Sequence, residues 1–219
     1  MKIVSIVSGG LDSVSMLYIQ SKYKHNIHVL SFDYGQRHKK ELEYARFAAY
    51  DVGALWDCID LSSITHLIGG SSLTDNIPVP DGHYAEENMK VTVVPNRNAI
   101  MLAIAYGVAV AEQAEAVAIA VHAGDHFIYP DCRPAFTEAF EEMQNKAIEG
   151  FGNVQLLTPF IKYSKANIVK EGYLAGTPFN KTWSCYKGGD IHCGTCGTCV
   201  ERKEAFALSG IPDPTHYLR

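Results

Sequence analysis

The feature of the sequence that most constrains the fold is a glycine-containing loop near the amino terminus, between an apolar run and a helix-like segment. Residues 2–7 are mostly β-branched and predict a buried strand, whereas residues 11–23 place apolar side chains at helical spacing. The glycines between them allow a tight turn whose N–H groups can approach a phosphate, and the following helix directs its positive dipole end to the same point. A plain strand-to-helix turn would also use glycines, but the flanking hydroxyl and carboxylate side chains favour a phosphate site.

The side chains of this loop indicate how a nucleotide would be held. Ser8 and Ser13 can donate hydroxyl hydrogen bonds to phosphate oxygens. Asp12 repels phosphate, so we expect it to accept from the loop's own N–H groups or to hold a Mg²⁺ ion that bridges the phosphates. The common motifs G-x-x-x-x-G-K-S/T and G-x-G-x-x-G do not follow this strand. We predict that ATP binds to Ser8, Gly9, Gly10, Leu11, Asp12 and Ser13, and that Ser8 and Asp12 are also catalytic.

Strand-like and helix-like segments alternate along the first 175 residues. Strand patterns occupy residues 27–32, 55–60, 116–121 and 154–157, and helical patterns occupy residues 39–50, 96–112, 133–149 and 164–171. This alternation predicts an α/β fold in which helices wrap a parallel five-stranded sheet. Residues 62–90 show no period and predict a long loop that is a lid, a binding loop or a disordered insert. The loops after Val7, Phe32 and Val121 are the expected site, because such sheets bind ligands beyond the carboxyl ends of their strands.

Four of the six cysteines lie between residues 185 and 199. Four thiolates at this spacing fit a closed, structural zinc site, although C-x₂-C-x₂-C also suits an iron–sulfur cluster. Since we find no secretory signal, thiolate ligation in a reducing cytoplasmic compartment is favoured over disulfides. We predict zinc ligands at Cys185, Cys193, Cys196 and Cys199. Residues 176–219 would then form a small zinc-binding subdomain beside an ATP-binding domain of residues 1–175.

The charge of the chain lowers the expectation of a nucleic-acid or membrane partner. A formal net charge of −5 gives no electrostatic reason to expect either one. The longest apolar stretch, residues 99–111, has the length of a buried core helix. A zinc-containing nucleic-acid-binding module is an alternative from another functional class, against which the acidic balance and the first loop argue.

Polar motifs after the later strands indicate where the rest of the ligands bind. We predict that the adenosine lies against Asp33, Tyr34 and Gln36, after the second strand. Arg97 would meet the α-phosphate as charge shifts, and Lys165, or else Lys162, would neutralise phosphate charge. A solvated surface position is the plain alternative for each. After the fourth strand, carboxylates can accept from a guanine-like base and an arginine can pair with a substrate carboxylate, which predicts substrate contacts at Asp125, Tyr129, Asp131 and Arg133.

Several of these motifs together resemble one enzyme family. S-G-G-L-D-S resembles the pyrophosphate loop of the N-type ATP pyrophosphatases (PP-loop enzymes). The wider set resembles the 7-cyano-7-deazaguanine synthases of queuosine-precursor biosynthesis, from residue 4 to about residue 206. The matching stretches are V-S-G-G-L-D-S, D-Y-G-Q-R-H, P-N-R-N, Y-P-D-C-R-P, T-P-F, T-W-S-C-Y and C-G-T-C-G-T-C. Two places depart from the family pattern: Asn96 stands where a glycine is expected, and residues 124–127 differ from the usual neighbourhood of Asp125.

The resemblance implies an adenine nucleotide alpha-hydrolase-like (Rossmann-like) fold and an ATP-dependent carbon–nitrogen ligase. Such an enzyme converts 7-carboxy-7-deazaguanine and ammonia to the 7-cyano base and uses ATP twice. The first adenylation lets ammonia form the amide, and the second activates the amide oxygen so that loss of AMP leaves a nitrile. The resemblance also favours a homodimer. No glutaminase-like region is evident, so ammonia would arrive free or from a partner. A PP-loop tRNA-modifying sulfurtransferase is the nearest rival, and it would need a basic surface and a catalytic cysteine pair.

Overall fold

A five-stranded parallel sheet forms the centre of the protein. In the computed structural model, which describes residues 1–83 and 87–218, the strand order is β3-β2-β1-β4-β5 and every neighbouring pair is parallel. The strands are β1 (Lys2–Ile6), β2 (Asn26–Asp33), β3 (Leu55–Asp60), β4 (Ala116–Ala118) and β5 (Gln155–Leu157). The predicted fold class is therefore confirmed, although β4 ends three residues earlier than its apolar pattern.

The order of the strands determines where a ligand can bind. Ile3 of β1 lies opposite Ile27 of β2 on one side and opposite Ala116 of β4 on the other. The chain thus builds outward from β1 in both directions, and the loops that follow β1 and β4 diverge at the carboxyl edge of the sheet. Open α/β sheets bind ligands in the crevice at such a switch point.

Helices cover both faces of the sheet, because alternate residues of a strand point to opposite faces. Val4 and Ile6 pack with the helices at residues 97–111 and 134–147, whereas Ile3 and Val7 pack with those at residues 11–22, 40–51 and 165–175. None of the helices in the described ranges combines the length and apolar character needed to cross a bilayer. The helices are α1 (Leu11–Lys22), α2 (Lys40–Asp51), α3 (Ser62–Thr65), α4 (Arg97–Ala111), α5 (Pro134–Ala147), α6 (Lys165–Ala175) and α7 (Gly197–Ser209).

The predicted long loop at residues 62–90 is partly folded into the core. It begins with α3 and ends in a 3₁₀ helix at Glu87–Thr92. Leu73 and Met89 have no exposed surface and pack in the same cluster as α4. Residues 84–86 lie outside the described residues. The packed flanks do not fit a wholly disordered insert.

The carboxyl-terminal segment, residues 176–218, folds back over the carboxyl edge of the sheet. The backbone N–H of Trp183 donates to the carbonyl of Gly9 at 2.9 Å. Phe206 of α7 meets Phe179 edge-on, with ring centroids 5.1 Å apart, and both pack with Leu11 of α1. This segment shares a core with the sheet, and the predicted domain boundary at residue 175 stays a prediction.

Candidate active site

A cavity that is partly open to solvent lies at the switch point between β1 and β4. The loops after β1, β2 and β4 form its walls, together with the amino-terminal ends of α4 and α6 and part of the carboxyl-terminal segment. The structure thereby brings together most of the site residues predicted from the sequence. Those that line the cavity are Ser8, Gly10, Leu11, Asp12, Ser13, Tyr34, Arg97, Asp125, Tyr129 and Lys165.

The phosphate loop, which is the name used for residues 8–13, is held in a tight turn by its own hydroxyl groups. The backbone N–H of Ser8 donates to Oγ of Ser13 at 3.2 Å, and that of Gly10 donates to Oγ of Ser8 at 3.3 Å. The two hydroxyl oxygens lie 3.1 Å apart. Gly9 has a φ of +91°, and a Cβ built there would lie 1.9 Å from the carbonyl oxygen of Glu41 in α2. Gly9 therefore lets α2 pack directly on the loop.

A lysine and two carboxylates form the charged wall of the cavity. Nζ of Lys165 lies 3.2 Å from Oδ2 of Asp12 and 2.6 Å from Oε2 of Glu201 on α7. Burial opposes the charged form, but the carboxylates of Asp12, Glu201 and Asp125 raise the pKa of Lys165 above its usual value. Lys165 is thus a cation at neutral pH, placed beside the phosphate loop.

Asp12 has an oxygen that suits a cation. Its Oδ1 is buried and has no hydrogen-bond partner among the described residues. Carboxylate oxygens are the ligands that Mg²⁺ prefers, and Mg²⁺ in nucleotide sites is held by one or two of them together with the phosphates. The predicted role of Asp12 as a magnesium ligand fits this arrangement.

Arg97 enters the cavity at the first residue of α4. Its Nη1 donates to the hydroxyl of Tyr34 at 3.2 Å, and its guanidinium lies 5.6 Å from the centre of that ring. Asn96, which precedes it, has a φ of 57° in the left-handed region. Asparagine tolerates this conformation better than most residues, which explains how it can stand where the family pattern has glycine.

Five predicted residues do not line the cavity and support its walls instead. Asp33 accepts from Gly35 N–H at 3.0 Å and pairs with Lys39 at 2.8 Å. Gln36 is buried, accepts from the N–H of Tyr34 at 2.8 Å and donates to the carbonyl of Phe32 at 3.0 Å. Gly9 forms the back of the phosphate loop. The contact roles predicted for these residues stay predictions.

Asp131 and Arg133 are the other two predicted residues that do not line the cavity. Oδ2 of Asp131 accepts from the backbone N–H of Asn98 at 3.1 Å, one residue after Arg97. Arg133 is exposed, and its Nε donates to the carbonyl of His126 at 2.8 Å. Asp131 is placed to fix the start of α4, and Arg133 lies on the outer side of the loop after β4. Their predicted contacts with substrate also stay predictions.

Sequence reasoning missed several cavity residues. His38 and Glu41 face the cavity from the start of α2. His122 lies behind the cavity wall, buried after β4, with Nε2 3.5 Å from Oδ2 of Asp125 and 3.8 Å from Oδ2 of Asp12. The D-Y-G-Q-R-H motif contained His38, but Glu41 looked like an ordinary exposed acid in a first helical turn. The carboxyl-terminal segment adds Trp183, Ser184, Tyr186 and Thr198.

The four predicted cysteine ligands converge on one point. The Sγ atoms of Cys185, Cys193, Cys196 and Cys199 all lie within 4.8 Å of one another. Backbone N–H groups of Thr195 and Cys196 donate to the sulfur of Cys193 at 3.4 and 3.3 Å, as expected around a thiolate. Tetrahedral zinc with Zn–S distances of about 2.3 Å places its sulfurs slightly under 4 Å apart, so the donor set fits a metal ion after small adjustments.

Comparisons with known proteins identify the family of this chain. The family model for "Queuosine biosynthesis protein QueC" matches residues 2–210. The 7-cyano-7-deazaguanine synthase of Ruegeria sp. (strain TM1040) is 62% identical over 99% of this chain and 93% of its own length. The enzyme of the same name from Ruegeria pomeroyi is 60% identical, over 99% and 94% of the two chains.

Two solved structures share the fold at low sequence identity. The U34-tRNA thiolase NcsA from Methanococcus maripaludis, solved with its 4Fe–4S cluster, has a TM-score of 0.53 and 13% identity over 96% of this chain and 65% of that one. The NMN synthetase from Francisella tularensis has a TM-score of 0.52 and 12% identity over 96% and 77% of the two chains. They bear on architecture alone. The family match and the close relatives show that this chain belongs to the QueC family of queuosine biosynthesis proteins.

Proposed function

We propose that this protein is an ATP-dependent ligase that converts 7-carboxy-7-deazaguanine and ammonia to 7-cyano-7-deazaguanine. The observation that carries the proposal is the meeting of the phosphate loop with Arg97 and Lys165 in one cavity. Relatives about 60% identical over nearly their full length are named for this product. The reaction has an adenylated acid and an amide as its intermediates.

Different residues of the cavity have different roles in the adenylation. Ser8, Ser13 and the N–H groups at the start of α1 hold the β- and γ-phosphates, since the loop leaves the amino-terminal N–H groups of α1 free to bind them. Arg97 and Lys165 stabilise the charge that shifts onto the α-phosphate and the departing pyrophosphate. Asp12 would hold Mg²⁺, which would supply further positive charge to the phosphates.

Binding of the deazaguanine is assigned to the loop after β4. Asp125 and Tyr129 both line the cavity, with Tyr129 fixed by a 2.7 Å contact between its hydroxyl and that of Thr92. A carboxylate can accept from the N–H edge of a guanine-like base, and an aromatic ring can stack on it. We place the adenosine beside Tyr34, at the end of β2.

We assign zinc to the cysteine cluster and a structural role to the bound ion. Trp183, which donates to the carbonyl of Gly9, lies two residues before the ligand Cys185. A metal ion there would hold the carboxyl-terminal segment against the phosphate loop. The thiolase that shares the fold has an iron–sulfur cluster, so the zinc and iron contents of the purified protein decide between the two metals. A homodimer remains part of the proposal and is supported by the family resemblance alone, whereas the proposed cytoplasmic location is supported by the spacing of the cysteines.

Incubation with ATP, ammonia and 7-carboxy-7-deazaguanine tests the proposal. We expect AMP and pyrophosphate, then the amide, and finally a product lighter than the amide by one water, all followed by mass spectrometry. Ser8→Ala and Asp12→Ala should lose acid-dependent AMP formation while retaining the zinc of the cysteine cluster. Formation of ADP alone, or AMP formation that does not depend on the acid, would contradict the proposed ligase.

A further inference from the structure

The cavity contains an acid–imidazole pair to which adenylation gives no role. Glu41 and His38 both line the cavity and are 8% and 3% exposed. Oε2 of Glu41 lies 3.5 Å from Nε2 of His38, and the Nε2 amide of Gln36 donates to Oε1 of Glu41 at 3.1 Å. Nδ1 of His38 is buried without a hydrogen-bond partner among the described residues. Buried polar atoms are usually paired, so this atom points to a ligand.

The position of Glu41 places it at the reacting end of the cavity. Its backbone carbonyl touches the phosphate loop at Gly9, so its side chain enters beside the phosphates. No lysine or arginine of the described chain forms an ion pair with it. Ionisation of a buried carboxyl group next to a triphosphate is costly, and a small cationic ligand would lower that cost.

We propose that Glu41, positioned by Gln36 and His38, binds the ammonium nitrogen and accepts the protons that this nitrogen loses as the amide and then the nitrile form. The proposal rests on the ligase function above and extends it to the base of the reaction. Burial raises the pKa of Glu41 to about 8, against the opposing effects of Gln36 and Arg97. A general base whose pKa lies near the working pH is the most effective kind.

The proton transfers balance as follows. Ammonium gives a proton to Glu41, and the resulting ammonia forms a C–N bond at the acyl carbon of the adenylated acid. The C–O bond to AMP breaks with its electron pair, and the nitrogen loses one proton as the amide forms. After the second adenylation, at the amide oxygen, the nitrogen gives up its two remaining protons as AMP leaves and C≡N forms. Glu41 returns each proton to solvent before it takes the next.

The charged and titratable groups around the pair are compatible with this role. Burial, together with the charge of Arg97, lowers the pKa of His38 to about 3, so His38 is a neutral imidazole. The ring of His38 packs at a tilt against that of Tyr186, with ring centroids 5.3 Å apart, and burial raises the pKa of Tyr186 well above its usual value. Burial raises the pKa of Tyr34, which faces the pair from the end of β2, to about 12. Glu41 is therefore the group of this set that titrates near neutral pH.

The test uses Glu41→Gln, which retains the shape of the side chain and an oxygen to accept from Gln36. In ammonia-free buffer, exchange of labelled pyrophosphate into ATP that depends on the acid should stay within about twofold of wild type. Amide formation with ammonia should fall by about 100-fold or more, the usual range for loss of a general base. Conversion of added 7-amido-7-deazaguanine to the nitrile, which consumes no ammonia, should fall by a similar factor. The pH profile of that conversion should lose its ionisation near 8.

Matched controls separate the possible outcomes. Glu43→Gln changes an exposed acid of the same helix and should behave as wild type. His38→Asn should raise the KM for ammonia by a larger factor than it slows pyrophosphate exchange. Loss of exchange in Glu41→Gln would show that Glu41 binds the acid or ATP and would overturn the proposal, as would normal nitrile formation. A wild-type protein without acid-dependent exchange would instead defeat the ligase function itself.

Discussion

Replacement of Gly9 by alanine should displace the phosphate loop from α2. It should therefore lower the stability of the whole protein as well as weaken ATP binding. The new Cβ would lie 1.9 Å from the carbonyl oxygen of Glu41 and 2.9 Å from the backbone nitrogen of Ala45, both of which belong to a helix backbone. The φ of +91° is also unfavourable for an L-residue. Backbone strain of this kind costs about 1–3 kcal/mol, and forced overpacking costs about as much again.

We therefore expect Gly9→Ala to lower the free energy of unfolding by about 4 kcal/mol, which corresponds to a fall in Tm of roughly 8–16 °C for a chain of this size. Gly10→Ala is the matched control. Its Cβ would meet only Oγ of Ser8 at 3.3 Å and the carbonyl of Trp183 at 3.6 Å, with a normal φ of −74°. It should retain most of the stability in differential scanning calorimetry. Equal Tm values for Gly9→Ala and wild type would refute the reasoning.

Three further predictions concern the metal, the charged wall and pH. Cys199→Ser should release the metal ion from the cysteine cluster, lower the Tm and abolish pyrophosphate exchange, whereas Cys58→Ser, at an exposed position, should change none of these. Full pyrophosphate exchange in a protein without that metal ion would contradict the proposed link between the cysteine cluster and the phosphate loop. Lys165→Met should slow adenylation by about 100-fold or more, since it removes a cation from the developing charge, while Lys170→Met on the exposed face of α6 should not. The Glu41 carboxyl has a pKa near 8 in the folded chain against 4.5 when exposed, so the folded state binds more protons between these values. The free energy of unfolding of wild type, measured relative to that of Glu41→Gln, should thus fall as pH rises from 4.5 to 8. If urea unfolding gave the same difference between the two proteins at every pH, the raised pKa of Glu41 would be excluded.

The sequence predicted the parts of the site that local pattern determines. The loop at residues 8–13 combines glycines, hydroxyls and a strand-to-helix junction, so its position and turn could be predicted before any tertiary contact was known. The cysteine spacing likewise predicted that four cysteines come together, and the fold brings their sulfur atoms within 4.8 Å of one another. The α/β alternation predicted the parallel sheet, since a strand–helix–strand unit has few other compact arrangements.

Features that depend on packing between distant segments could not be predicted. Glu41 and Glu43 look alike in the sequence, and only the close approach of α2 to Gly9 buries the first and leaves the second exposed. Arg202 has no exposed surface, because Thr182, Ser184 and the carbonyl of Phe179 surround it. No local pattern distinguishes such an arginine from a solvated one on a terminal helix.

The hydrogen bond from Trp183 to Gly9 joins two segments that lie far apart in the sequence and therefore has a consequence for synthesis on the ribosome. β1 and its loop are translated long before Trp183, which lies more than 170 residues later in the chain. At about 5–20 residues per second, that interval lasts on the order of ten seconds or more. Throughout it the nascent chain lacks the part of the cavity wall that the carboxyl-terminal segment supplies, so we expect the phosphate loop to reach its final form only after Trp183 has been translated.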